Sequence, residues 1–161
     1  MTETRIQAAS RFRVFERWGR IYARIALGAG FLSAVAGRFG LWDHKIDLKY
    51  FFVDFFRYTA EVNSFLPAAF IPAIAWTATV AETSLGILLI AGVWKRWTYP
   101  ACALLLALFG TAMAISFGLK SPLDYSVFSA SGAATLLALD AWKQDRIPIP
   151  TRENGGPSRS R

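Results

Sequence analysis

The sequence predicts an all-α fold: a transmembrane four-helix bundle with an extra amphipathic interfacial helix between spans 1 and 2. Three observations lead there. Hydrophobic residues make up 54% of the 161 residues and charged residues only 18%, where soluble domains carry about 25% charged residues. Mean hydropathy is +0.33, and the apolar residues come in long blocks, not in the short alternating patterns of a soluble core. Finally, the stretch from Ile71 to Val93 is long enough to cross a hydrocarbon core of roughly 30 Å, which takes about 20 apolar residues in helix.

Taken in order, the first 20 residues are polar and basic, with Arg11, Arg13 and Arg17 interleaved with Phe12, Phe15 and Trp18 at helical spacing. They predict a basic amphipathic segment on the cytoplasmic membrane surface. The first span follows at 21–38. Ala34, Val35 and Ala36 resemble a signal-peptidase site, but the long basic region before them and the further spans after them favour an uncleaved helix. Within this span Ala26, Gly30 and Ala34 recur every four residues, a small-residue stripe that lets helix backbones approach closely in lipid. Arg24 lies one turn in and is expected to snorkel towards the cytoplasm.

Between Gly37 and Leu66 the chain turns mixed. Leu48, Phe51, Phe52, Phe55 and Phe56 share one helical face, with Lys49, Asp54, Arg57 and Glu61 on the other. That spacing predicts an amphipathic helix too polar to span, lying on the outer face or capping the bundle. The second span is expected near 70–93, entered at Pro72 and left at Lys95 and Arg96. Trp94 and Trp97 flank that exit as an aromatic belt. The third, 98–119, carries Gly110, Ala114 and Gly118 as a further close-approach stripe. The fourth, 124–142, follows a tight turn at Pro122 and carries Ser126, Ser129, Ser131 and Thr135. Membrane domain 21–142 is then followed by a disordered cytoplasmic tail, 143–161, rich in Pro, Gly, Ser and Arg.

Glu82 interrupts the second span near its middle. An ionised carboxylate there costs on the order of 2.5 to 3.5 kcal/mol even on insertion scales, so it must face protein or water, or be protonated. Ala75, Ala78, Thr79, Glu82 and Gly86 fall on one face, which turns Glu82 into the seam its small neighbours open. With no cation expected at its depth, the reading is a protonated Glu82 donating to a hydroxyl. Glu82, Arg24, Thr79, Thr111, Ser129 and Ser131 form the candidate polar cluster, read either as a proton- or ligand-binding site or as a structural hydrogen-bonded group.

The net charge of +7 comes from basic residues beside the apolar blocks, which suits anionic headgroups and not a nucleic-acid surface. Twelve Lys or Arg lie before Ile21, in the Lys95/Arg96 turn and after Trp142, against five in the opposite loops. The positive-inside rule then puts both termini in the cytoplasm; a bacterial inner-membrane location is what the family resemblance described next implies. The lone Cys102 and lone His44 give no disulfide, no redox pair and no metal site. No cofactor motif is evident.

Two stretches carry a family resemblance. RIALGAGFLSAVAG, Arg24 to Gly37, and AETSLGILLIAGVWKR, Ala81 to Arg96, with the looser SGAATLLALD, Ser131 to Asp140, resemble the DoxX family of small bacterial membrane proteins. The resemblance covers roughly Ile21 to Trp142. It implies a four-helix bundle and a link to redox processes, since relatives include a subunit of thiosulfate:quinone oxidoreductase and proteins of methylamine utilisation. The function it implies is a membrane partner or anchor subunit of a redox or stress-response assembly with no complete catalytic site of its own. Its partners would be the lipid bilayer, a redox enzyme and a quinone. The alternative from a different class is a small proton-coupled transporter titrating Glu82.

Overall fold

The computed structural model describes residues 3–43 and 49–146, and these are helical with no strand among them. Six α-helices follow in order: α1 (Glu3–Arg38), α2 (Phe56–Val62), α3 (Ile71–Ala91), α4 (Lys95–Phe117), α5 (Lys120–Asp124) and α6 (Val127–Arg146). The long helices α1, α3, α4 and α6 pack together, chiefly as the pairs α1 with α3 and α4 with α6. His44, Lys45, Asp47 and the expected disordered tail beyond Arg146 lie outside the described residues.

Two helical stretches, Ala68–Ala91 and Lys95–Phe117, are long and apolar enough to cross a membrane. They are the expected second and third spans, with boundaries shifted by a few residues. The expected first and fourth spans form helices in α1 and α6, but both are diluted. Arg24, Arg38 and several glycines interrupt the first, and Ser129, Ser131, Thr135 and Asp140 the fourth. Around the bundle, Val80, Ile87, Leu104, Leu108, Ile115 and Leu136 point outward, 55 to 69% exposed. Such a belt suits a hydrocarbon solvent, since a soluble monomer rarely exposes contiguous apolar patches above a few hundred Å².

α1 departs from expectation in its length. Its 36 residues form one unbroken helix, about 54 Å at 1.5 Å per residue, and the expected boundary between residues 20 and 21 falls inside it. The reason is local: no proline interrupts the stretch, and a lone Gly19 costs a helix only about 1 kcal/mol relative to alanine. Lower on this helix, Arg20 Nη1 lies 3.4 Å from Asp140 Oδ2, linking α1 to α6.

The close approach of α1 to α3 also lies on a different face from the expected Ala26, Gly30 and Ala34 stripe. Gly30 has open space around it, whereas a Cβ on Gly28 would sit 3.0 Å from the Gly86 carbonyl oxygen, and one on Gly86 would sit 2.9 Å from Leu32. Gly28 and Gly86 therefore face each other at the crossing. On the α4 and α6 side only the first member of the expected Gly110, Ala114 and Gly118 stripe makes a close approach, since Gly118 has open space around it. Gly110 abuts the Phe128 ring, and Ala134 and Ala138 are buried with Phe31, Leu89, Tyr99 and Cys102 in the core.

The amphipathic segment is a π-helical turn, Tyr50–Phe55, running directly into α2. Phe51 is fully buried, stacked on Phe39 at 5.1 Å and against Trp76 at 4.6 Å between ring centroids. These rings cap the end of the α1–α3 pair at which α1 ends and α3 begins. The cap fixes what lies beneath it.

Candidate functional site

α1 and α3 run antiparallel. Since Gly28 lies against Gly86, Leu89 and Ile90, Arg38, at the far end of α1, comes level with the middle of α3. Helical side chains lean towards their own N-terminus, which on Arg38 means down into the bundle. There Nη2 donates to Glu82 Oε1 at 2.6 Å and Nη1 donates to Thr79 Oγ1 at 3.1 Å. Thr79 Oγ1 in turn donates to the Ala75 carbonyl at 2.9 Å. The guanidinium carbon sits 4.1 Å from the Phe55 ring centroid, a cation–π contact that the π-helical turn provides.

The pair is buried, with side-chain exposures of 11% for Arg38 and 2% for Glu82. Its two contacts differ. Nη2 is 2.6 Å from Oε2 as well as from Oε1, yet Oε2 accepts no hydrogen bond. Glu82 and Arg38 line a pocket of about 720 Å³ between α1, α2, α3 and α4, walled by Phe55, Leu66, Phe70, Leu106, Phe109 and Met113 among others. At its rim Tyr58 has its hydroxyl pKa pushed above the ordinary tyrosine range, first by burial and then by Tyr125 and Glu61, against the opposing pull of Arg38.

Of the sequence-derived cluster, the structure brings together only Glu82 and Thr79. Arg24 lies at the other end of α3, its guanidinium packed over Gly92, the left-handed residue that ends that helix. A cation there suits the negative end of the helix dipole. Thr111 is exposed and donates to the Ala107 carbonyl at 2.8 Å. Ser129 is exposed, and Ser131 donates to the Ala103 carbonyl at 2.9 Å. The hydroxyls of Thr111, Ser129 and Ser131 therefore do not hydrogen-bond Glu82, and the expectation that no cation lies at its depth is corrected by Arg38. Arg38 was counted with the outer-loop charges. The signal that finds it is the lean of helical side chains towards their own N-terminus, which sends an arginine at the C-terminal end of α1 inward. Among the described residues no group of three or more His, Cys, Asp or Glu could hold a metal ion.

Among the described residues two helices have the length and apolar character to span a membrane, and a buried charge pair lies beneath an aromatic cap. The family model for methylamine utilisation protein MauE matches residues 16–126, more than half of the chain. The chain belongs to that family. This corrects the resemblance to DoxX: the stretches that suggested it, Arg24 to Gly37 and Ala81 to Arg96, consist of glycines at a helix crossing and basic residues at a membrane exit. Such features recur wherever two helices pack closely in lipid. No curated protein and no solved structure matches the chain.

Proposed function

We propose that the chain is a multi-pass inner-membrane accessory protein of methylamine utilisation. It crosses the bilayer with α1, α3, α4 and α6 as a four-helix bundle, keeps both termini in the cytoplasm and serves a redox enzyme without a complete catalytic site of its own. The observation that carries this reading is the MauE match over residues 16–126. Using methylamine as a nutrient means oxidising its carbon–nitrogen bond, so a redox enzyme is the partner the chemistry requires. The outward apolar belt and the distribution of Lys and Arg support the membrane arrangement. In the lower half of α1, Phe12, Phe15, Trp18 and Tyr22 are 64 to 77% exposed between arginines, a surface suited to a partner or to headgroups. The pocket floored by Arg38 and Glu82 is the site through which the protein acts.

Affinity purification from mildly solubilised membranes at native expression should recover a stoichiometric oxidoreductase. Recovery of the chain alone would contradict the reading. The transporter alternative draws on Glu82 as a titrating carboxylate, and a Glu82→Gln variant that folds normally and leaves proton-coupled flux in liposomes unchanged would remove its motivation.

A further inference from the structure

α1 leaves one face uncovered along most of its length. Phe12, Phe15, Gly19, Tyr22, Ala26 and Ala29 recur at alternating steps of three and four residues, and all six are exposed. Arg20 and Gly28 lie on the opposite side, against Asp140 of α6 and Gly86 of α3. We propose that the uncovered face is the seam of a parallel dimer, in which α1 of a second copy of this chain packs against it. The inference rests on the membrane arrangement proposed above, because two copies inserted in the same sense can only bring their first helices together in parallel.

Period, charge and shape select a second copy. Alternating steps of three and four are the heptad period of a left-handed coiled coil, with Phe12, Gly19 and Ala26 at the a positions and Phe15, Tyr22 and Ala29 at the d positions. Contact with lipid alone requires no such period. In the same frame Arg11 falls at g and Glu16 at e, five residues later. That is the spacing at which a g side chain meets the e side chain of the other helix in a parallel pair. Both side chains are exposed, and no ion pair joins either of them to another described residue. A two-fold axis makes the Arg11–Glu16 contact twice, since each copy offers the patch the other needs. Gly30, at the e position inside the span, has open space around it; Ile25, at g and 46% exposed, enters that space from the second copy. Ala26 and Ala29 let the two backbones approach closely within hydrocarbon. Below the bundle, Phe12 and Phe15 are 65% and 75% exposed, apolar surface that the dimer removes from water. Above Ala29 the seam ends where Trp42 donates to the Ser33 carbonyl at 3.1 Å.

Disulfide cross-linking of the full-length chain in native membranes tests the seam. Cys102 is fully buried, so the parent chain is the blank. Phe15→Cys, Tyr22→Cys and Ala29→Cys should each give a covalent dimer, because d positions of a parallel pair bring Cα atoms within the roughly 4.4 to 6.8 Å that a disulfide spans. Val14→Cys and Arg17→Cys, exposed but off the seam, should stay monomeric. Arg11→Glu sets like charges against each other at both contacts and should raise the dimer dissociation constant on the order of tenfold. Glu16→Arg should do the same, and Arg11→Glu/Glu16→Arg should restore the dimer, a rescue that damage to the fold would not show. The dimer is overturned by equal cross-linking on and off the seam, by cross-links to a different protein alone, by a monomer at every lipid-to-protein ratio, or by a charge swap that rescues nothing. The membrane arrangement has its own readout. Val14→Cys should resist an impermeant maleimide in intact spheroplasts and react once they are opened; reaction before opening would overturn the arrangement while the cross-linking pattern still decides the dimer.

Discussion

Arg38→Ala should destabilise the folded bundle by about 3 to 5 kcal/mol, the range for breaking a buried ion pair by removing one partner. The cost arises because Glu82, 2% exposed, would lose both its counterion and the guanidinium that donates to it, and must either hold a buried charge alone or take up a proton. Glu82→Gln should also destabilise, because it leaves the guanidinium beneath the aromatic cap without its carboxylate. A protonated, hydroxyl-bonded Glu82 would tolerate that change. Removing both charges in Arg38→Met/Glu82→Leu should recover most of the loss, since replacing a buried pair by apolar groups of similar size is often neutral. Unfolding by SDS titration in mixed micelles closes the cycle. A coupling energy well above about 1 kcal/mol is expected, and additive effects of the single changes would show that the two groups do not act as a pair.

Gly86→Val should have the second large effect. A Cβ at this position would meet Leu32 at 2.9 Å and the Gly28 carbonyl at 3.2 Å, and the backbone oxygen cannot move aside as a flexible side chain can. α1 and α3 must then separate or shift along each other, with a cost of about 1 to 3 kcal/mol typical of overpacking. The change acts at a distance too: Arg38 reaches Glu82 only because this crossing sets the level of α1 against α3. Cysteines placed on the facing surfaces near Ala34 and Ala78 should cross-link in the native background and lose efficiency when Gly86→Val is added. Unchanged cross-linking and stability would mean that the crossing lies elsewhere.

The face of α3 was legible in the sequence because helical periodicity is strict. Ala75, Thr79, Glu82 and Gly86 are all buried, as the three-and-four spacing requires. The crossing partner on α1 was not. Small residues stand at Ala26, Gly28, Gly30 and Ala34, so spacing alone fits more than one face, and only the position of α3 selects Gly28. Arg38 was hidden for another reason: an arginine after a glycine at the end of an apolar block looks like an interfacial charge, and its role depends on the direction in which its helix runs. The phenylalanines of 51–56 announced a helix and a cap but not the π-helical turn that sets Phe55 over Arg38. Family membership was out of reach of short motifs built from glycine and basic residues.

The central claim is that the Arg38–Glu82 pocket serves methylamine utilisation and is more than a structural clasp. The most direct test is growth on methylamine as sole nitrogen source in a strain whose only copy is Arg38→Met/Glu82→Leu, with protein abundance followed by immunoblot. The account predicts normal abundance and lost growth, and growth equal to that of the native strain at equal abundance would contradict it.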